Sequence, residues 1–388
     1  MKKYMMIMLA TMMVSSGFAK DDYKAKMDAF VSNLLGKMTV DEKIGQLNLT
    51  ICSEFVSGQI NDNSTTVRDN LKKGALGGLF GFKDAKQIKE LQKMAVENSR
   101  LHIPLIFGYD VVHGYDVTFP IPLALSSSWN PNIVETMARI SAKEAASDGV
   151  CWTYAPMVDI CHDARWGRIA EGAGEDPYLG SVMAKAYIHG FQGDNDLSKN
   201  TNIMACVKHF ALYGASEAGR DYNTVDMSRQ RAFNEYMMPY KAACDAGAGS
   251  FMASFNEFEG IPAHCNDYLM NDVLRKQWGF DGFITTDYTG IMETTQHGIG
   301  NEQTATARAL KAGIDMDMMS EYYIKYLKQA LADGSVSEDD LNTACRRILE
   351  AKYKLGLFED PYKYCDPKRA AKILGADEHV HQARKIAQ

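Results

Sequence analysis

The sequence predicts an α/β protein, a (β/α)8 barrel of the TIM type. Eight short apolar runs alternate along the chain with longer segments of helical periodicity. Alternating strands and helices are typical of a parallel sheet, which either closes into a barrel or stays open and doubly wound; eight strands favour the barrel. The 388 residues, 46% of them hydrophobic and 23% charged, have the composition of a soluble globular protein.

The predicted strands are the apolar runs themselves. In chain order they are Ile44–Leu49, Ala75–Phe80, Ile103–Tyr109, Trp152–Val158, Ile203–Val207, Ser250–Phe255, Gly282–Thr286 and Gly313–Met316. The 3.6-residue periodicity between them predicts helices that include Lys86–Ser99, Ile133–Asp148, Tyr178–Gln192, Ser228–Ala246 and Glu302–Ala312.

Two capping boxes predict where further helices begin. Thr39 to Glu42 and Ser337 to Asp340 each place a hydroxyl at a helix start and a carboxylate three residues later. The helix after Ser337 is predicted to end near Gly356 and to close the barrel region.

The two ends of the chain have a different character. Lys2 and Lys3, the apolar run Tyr4–Val14 and the small residues Gly17 and Ala19 have the order of a secretory signal peptide. We therefore predict a signal peptide over residues 1–19, a barrel over residues 20–358 and a periplasmic location. The polar residues 359–388, with a short helical pattern from Asp377 to Ile386, are predicted to be a linker into further structure.

Charge and cysteine content exclude several classes of protein. The net charge is −7, and it becomes −9 without residues 1–19, which argues against a nucleic-acid partner. The eight cysteines are too sparse for a disulfide scaffold, so we expect mainly free, buried thiols. The apolar run near the amino terminus is too short to span a bilayer, so no membrane span is expected once it is removed.

Polar residues follow several of the predicted strands, where the active site of such a barrel is built. Asp110, the pair Lys208 and His209, and Asp287 each come directly after an apolar run. The Trp152–Val158 run leads through Asp159 into the loop that carries Arg168. Carboxylates, cations and an imidazole meeting at one face predict a catalytic site.

The alternative interpretation of the residues at this face is a metal site. Asp110 and His113 are three residues apart, and Cys161, His162 and Asp163 are consecutive. The ammonium of Lys208 would, however, repel a metal ion at the end of its strand. The sequence also has no phosphate-binding glycine loop, which argues against a phosphate-bearing cofactor. We therefore expect neither a metal nor another cofactor.

These residue types suit a neutral, polyhydroxylated substrate. A carboxylate can accept bonds from adjacent sugar hydroxyls while Arg, Lys and His donate to them, and a second carboxylate can attack. Glycoside hydrolysis fits this set of groups.

The sequence resembles glycoside hydrolase family 3, in particular the N-terminal barrel domain of the bacterial periplasmic β-glucosidase type. The matching stretches, in the same order and spacing, cover essentially the whole chain after the predicted signal peptide. They are KMTVDEKIGQL (37–47), IPLIFGYDVVHG (103–114), FPIPLALSSSW (119–129), APMVDI (155–160), RWGRIAEGAGEDPYL (165–179), VKHFALYG (207–214) and GFDGFITTDYTGI (279–291).

The resemblance implies a role for each site residue. Asp287 matches the nucleophile that forms a covalent glycosyl-enzyme. The residues that match the family's clamp on the hydroxyls of the sugar before the scissile bond are Asp110, Arg168, Lys208 and His209.

Four neighbouring positions refine that assignment. Glu171 and Glu175 are expected to support Arg168. Phe255 stands where many members carry a Tyr that bonds the nucleophile, and Tyr288 replaces a Trp often found after the nucleophile.

The resemblance also implies a second domain. Two-domain members take the general acid/base from a Glu in a following α/β sandwich domain, and residues 381–388 resemble its start. We therefore expect a retaining, exo-acting β-glucosidase that cleaves terminal β-D-glucosyl residues from oligosaccharides. The alternatives are a β-xylosidase or related exo-glycosidase of the family, or a catalytically impaired sugar-binding fragment; the oligomeric state is not predicted.

Overall fold

The computed structural model describes residues 22–55 and 64–388. The strands, in chain order, are β1 (Asn48–Thr50), β2 (Gly78–Phe80), β3 (Ile106–Tyr109), β4 (Trp152–Thr153), β5 (Met204–Phe210), β6 (Ser250–Ala253), β7 (Glu257–Phe258), β8 (Ile261–Pro262), β9 (Phe283–Thr285) and β10 (Asp317–Met318). Strands β7 and β8 form a separate antiparallel pair.

The other eight strands pair in parallel, in the order β10-β1-β2-β3-β4-β5-β6-β9. A parallel bridge between Thr285 and Met316 joins β9 to the chain just before β10 and completes the ring. The predicted (β/α)8 barrel is therefore confirmed, and the open doubly wound sheet is excluded because the first and last strands pair with each other.

Helices surround the barrel. They are α1 (22–35), α2 (Val40–Gln46), α3 (Ser64–Lys72), α4 (Ala85–Asn98), α5 (Pro122–Ser126), α6 (Pro131–Ser147), α7 (Pro177–Gln192), α8 (Arg229–Arg231), α9 (Met238–Asp245), α10 (Gly290–Thr294), α11 (Glu302–Ala312), α12 (Tyr322–Ala332), α13 (Glu338–Lys354), α14 (Pro367–Ile373) and α15 (Asp377–Ala387). Both predicted capping boxes are present, at the starts of α2 and α13.

Some predicted boundaries are wrong. The strand predicted from Ile44 begins only at Asn48, because the capping box starts a helix that runs through Gln46. The last strand lies at Asp317–Met318, after the predicted Gly313–Met316. The helix predicted over Ser228–Ala246 is divided by a π-helical turn at Ala232–Tyr236, before Pro239, which cannot donate a backbone hydrogen bond.

The interior of the barrel is filled by aromatic side chains. Trp152 of β4 donates from its indole N–H to Ser250 Oγ of β6, at 2.8 Å. Its ring lies 5.0 Å from that of Phe283 in β9 and 4.7 Å from that of Tyr154. These contacts cross the barrel and form a packed floor, so the polar groups of any site must lie above it.

Residues 359–388 pack against the barrel helices. Tyr364 is buried and donates its hydroxyl proton to the carbonyl of Asn202, at 3.1 Å. Arg369 donates to the carbonyl of Ala146, and His379 contacts the buried carboxylate of Glu144 at 2.8 Å. The helical pattern predicted near the end of the chain is confirmed by α15, whereas the division into a barrel and a second domain stays a prediction.

Seven cysteines are free thiols, as expected; Cys244 is half-buried, and the other six, which are Cys151, Cys161, Cys206, Cys265, Cys345 and Cys365, are buried. Over residues 22–55 and 64–388, no helix combines the length and the apolar character that a bilayer crossing requires. The predicted signal peptide, residues 1–19, lies outside the described residues.

Candidate active site

The carboxyl ends of the strands bring the five predicted site residues to one face of the barrel. Asp110 follows β3, and Lys208 and His209 lie within β5. Asp287 follows β9, and Arg168 lies in a 3-10 turn after β4. The five side chains belong to two bonded clusters, which we name after the roles that the family resemblance predicts for them, the clamp cluster and the nucleophile cluster.

The clamp cluster contains Asp110, Lys208, Glu171 and Arg168. Lys208 Nζ lies 2.9 Å from Asp110 Oδ1 and 3.9 Å from Glu171 Oε2. Arg168 donates to the same Glu171 carboxylate from Nε, at 2.7 Å, and from a terminal nitrogen, at 3.1 Å. Lys208 is buried while the side chain of Asp110 is 60% exposed, so the cluster reaches from the barrel interior to solvent.

The charges of the clamp cluster stabilise one another. Burial disfavours the ammonium of Lys208, but the charges of Asp110 and Glu171 outweigh it and raise the pKa of Lys208. Burial likewise opposes the charge of Glu171, but the bond from Arg168 and the charge of Lys208 lower its pKa. Lys208 and Glu171 are therefore ionised at neutral pH and can act as a charged donor and a charged acceptor.

The nucleophile cluster joins Asp287 to the interior through His209. His209 Nδ1 lies 2.9 Å from Asp159 Oδ2, and His209 Nε2 lies 3.5 Å from Asp287 Oδ2. Asp159 also accepts from the backbone N–H of His209, at 2.9 Å, and from the hydroxyl of Tyr240, at 2.5 Å. The carboxylate of Asp159 thus sets the orientation of the imidazole that faces Asp287.

A local irregularity of β5 lets two successive residues serve the site. Neighbouring side chains of a regular strand point to opposite faces. The pairing of β5 with β6 shifts register between Val207 and Phe210, and Lys208 and His209 lie within this shift. Such irregularities redirect side chains, and here the ammonium and the imidazole both reach the same face.

The carboxylate of Asp287 has one engaged and one unengaged oxygen. Oδ1 accepts the backbone N–H of Tyr288 at 2.6 Å. Oδ2 is buried and has no hydrogen-bond partner. A buried carboxyl oxygen without a donor costs free energy in a folded protein, and here it leaves Oδ2 open to a group that enters the site.

The expected supports of Arg168 behave differently from each other. Glu171 bonds Arg168 as expected, but Glu175 is largely exposed and lies 3.9 Å from His162, so its predicted role is wrong.

The two aromatic positions near Asp287 differ in exposure. Phe255 is buried against the ring of Tyr222, at 4.7 Å between centroids. Tyr288 is half-exposed beside Asp287.

The structure adds three residues to the predicted site. Asp159 follows an apolar run, which is the signal in the sequence that could have assigned it to the site. Tyr240 lies on a helix and His264 lies in a short turn after β8, where it accepts the backbone N–H of Asp287 at 3.2 Å. Neither has a pattern in the sequence that points to the site.

Within residues 22–55 and 64–388, no group of three or more His, Cys, Asp or Glu side chains is arranged to hold a metal ion.

Similarity to known proteins identifies the family. The family model described as "Glycosyl hydrolase family 3 N terminal domain" matches residues 39–351. The chain belongs to glycoside hydrolase family 3. Membership of family 3 agrees with the barrel and with the sequence motifs that carry Asp110, Arg168, Lys208, His209 and Asp287.

Relatives within family 3 include named glycosidases. A periplasmic beta-glucosidase of Salmonella typhimurium is 46% identical over 93% of this chain and 47% of its own length. A beta-xylosidase of Formosa agariphila is 36% identical over 78% of this chain and 44% of its own length. A beta-glucosidase of Listeria innocua, solved in complex with isofagomine, has a TM-score of 0.86 and 40% identity, with coverage of 92% of this chain and 50% of that chain. This chain thus spans about half the length of these relatives.

Proposed function

We propose that this chain carries the sugar-binding and nucleophilic parts of a retaining, exo-acting β-glucosidase. The observation that carries the proposal is the unengaged Oδ2 of Asp287, held 3.5 Å from His209 on the same face as the clamp cluster. The names of the Salmonella and Listeria relatives support glucose as the sugar.

The two clusters have different roles in a double displacement. Asp110 accepts from the hydroxyls of the terminal sugar, while Arg168, Lys208 and His209 donate to them. Asp287 Oδ2 attacks the anomeric carbon as the bond to the leaving oxygen breaks, which gives a glycosyl ester and a protonated leaving group. Water then cleaves the ester and regenerates the carboxylate.

The proton for the leaving oxygen needs a second carboxyl group. The family resemblance predicts a Glu of a further domain. In the part of the chain described here, Glu293 on α10 is a carboxyl group to test against that prediction. Burial raises its pKa, the charge of His297 opposes the rise, and the charge of Asp287 adds to it.

Covalent labelling tests the nucleophile. A 2-deoxy-2-fluoro-β-glucoside with an activated leaving group should label the chain once, and peptide mapping should place the label on Asp287. Asp287→Asn should abolish labelling. Glu175→Gln, which changes an exposed carboxylate of the Arg168 loop, should leave labelling unchanged. A label on any other residue would contradict the assignment.

A substrate panel tests the leaving group and the sugar. General acid catalysis contributes about 10² to 10⁴-fold, so this chain alone should cleave an activated aryl glucoside far better than cellobiose. Equal efficiency on the two would show that the acid lies within this chain, and loss of cellobiose cleavage in Glu293→Gln would then identify it. A preference for xylosides over glucosides would favour the β-xylosidase alternative, and binding of glucose without any turnover would favour the impaired fragment.

Export to the periplasm is part of the proposal. The order of charged, apolar and small residues over positions 1–19 supports it, as does the name of the Salmonella relative. Amino-terminal sequencing of the protein from a periplasmic extract should begin at Lys20, and retention of Met1 in the cytoplasmic fraction would contradict it.

A further inference from the structure

The turn that carries the nucleophile, residues 286–290, has an acceptor for every backbone N–H. Four of these bonds stay within the turn or run to the neighbouring strand region. They are Thr286 to the Met316 carbonyl (2.9 Å), Tyr288 to Asp287 Oδ1 (2.6 Å), Thr289 to the Met318 carbonyl (2.8 Å) and Gly290 to the Asp287 carbonyl (3.0 Å). The N–H of Asp287 differs from the others, because its acceptor is a side chain from another part of the barrel.

That acceptor is His264. Its Nε2 lies 3.2 Å from the Asp287 nitrogen, and its side chain is only 1% exposed. An N–H donor requires a lone pair on Nε2, so the ring proton is on Nδ1 and the imidazole is neutral. Burial, assisted by the charge of His297, lowers the pKa of His264 to about 3, which keeps it neutral at any working pH.

The imidazole also packs against the same turn. A Cβ atom added to Gly290 would lie 2.2 Å from His264 Nε2 and 2.6 Å from the adjacent ring carbon. A residue with a side chain at position 290 would therefore displace the ring. The ring of Phe255, at 5.9 Å between centroids, lies beside the imidazole. His264 is thus held between Phe255 and Gly290 and bonded to the residue that bears the nucleophile.

We propose that His264 is a positioning residue for the nucleophile. By accepting the backbone N–H of Asp287 and filling the space against Gly290, it fixes the turn from which Asp287 Oδ2 faces the sugar. His209 acts on the carboxylate itself, whereas His264 acts on the backbone that carries it. This inference rests on the proposed function, because it assumes that Asp287 is the nucleophile.

Two substitutions at position 264 separate hydrogen bonding from packing. His264→Leu keeps a buried side chain of similar size but removes the acceptor, whereas the amide oxygen of His264→Gln can still accept the Asp287 N–H. Misplacement of a reacting group by about 1 Å costs up to about 10²-fold, so the leucine variant should be labelled by the fluoroglucoside about 10 to 100-fold more slowly. The glutamine variant should recover most of the rate.

Binding of glucose provides a second readout. The clamp cluster does not contact His264, so both variants should bind glucose within about twofold of the unaltered chain. A general loss of structure would weaken glucose binding and labelling together, which a positioning role does not predict.

Gly290→Ala tests the same contact from the other side and does not depend on how the position 264 variants fold. The added methyl group should push the imidazole away and slow labelling, again with glucose binding retained. The matched control is Gly36→Ala, because a Cβ there meets only backbone oxygens of α1, at 3.5 Å or more.

The outcomes are distinct. Labelling of Asp287 at the unaltered rate in His264→Leu, or equally slow labelling in the leucine and glutamine variants, would overturn the positioning role while leaving the proposed function intact. Failure of the unaltered chain to be labelled at Asp287 would overturn the proposed function itself.

Discussion

The two ends of the barrel each bury an aspartate, and the two carboxylates are used differently. Asp159 lies at the carboxyl end and accepts from the backbone and ring of His209 and from Tyr240. Asp315 lies at the amino end and bonds Arg275 at 2.6 Å, Arg347 at 2.8 Å and the backbone N–H of Ile284 at 2.8 Å. Neither carboxylate is exposed to solvent.

The difference lies in where each network ends. At the amino end, the bonds of Asp315 tie helices to the strands β9 and β10, and the carboxylate is fully paired. At the carboxyl end, the bonds of Asp159 lead to His209, whose Nε2 lies 3.5 Å from Asp287 Oδ2, an oxygen that has no hydrogen-bond partner. The amino end therefore serves stability, while the carboxyl end keeps a buried acceptor oxygen without a hydrogen bond.

The largest expected effect comes from Asp159→Asn. The amide cannot accept from all three donors, so His209 loses its orientation toward Asp287. The same change in the orienting aspartate of a Ser-His-Asp triad lowers turnover about 10⁴-fold, and we expect a loss of about 10² to 10⁴-fold in the labelling rate. Tyr240→Phe, which removes one donor, should have a smaller effect in the same assay. An unaltered rate in Asp159→Asn would show that the two ends do not differ in this way.

The matching change at the amino end, Asp315→Asn, should act on stability instead. Removing one partner of a buried ion pair leaves uncompensated charge and costs about 3 to 5 kcal/mol. Urea denaturation should show this loss in the free energy of unfolding. The folded variant should be labelled at the unaltered rate. Slow labelling of the folded variant would show that the amino end affects the site as well as stability.

A smaller effect is expected at Lys352, on α13 at the amino end. Its ammonium is buried and donates to the side chain of Gln46. Burial lowers the pKa of Lys352 from 10.5 to about 7. The folded state thus binds this proton less tightly than the unfolded state, so the contribution of Lys352 to stability falls as the pH drops from about 10.5 to about 7.

Lys352→Met should remove that dependence. Near pH 6, the free energy of unfolding of the variant should be about 1 to 4 kcal/mol higher than that of the unaltered chain. The two free energies of unfolding should converge above pH ~10.5. Denaturation at a series of pH values measures this difference, and parallel curves across the whole range would contradict it. Labelling at neutral pH should be unaffected.

Much of the fold and part of the site follow from the sequence. The alternation of apolar runs and helical periods predicts the barrel, because each element is encoded by neighbouring residues. Asp110, Lys208, His209 and Asp287 were predicted as site residues because they follow apolar runs, and the barrel brings strand ends together. Arg168 was predicted from the loop into which the fourth apolar run leads, and the family motifs assign it a role in the clamp.

Only the tertiary structure reveals which groups hold and orient Asp287. Tyr240 is 81 residues from Asp159, and His264 is 23 residues from Asp287. Their contacts arise from the packing of elements around the closed barrel, which no local pattern records. The sequence by itself therefore determined the architecture and the chemistry available at its carboxyl end. The tertiary structure decided which oxygen of Asp287 is left free, because that depends on where donors from other strands and turns come to lie.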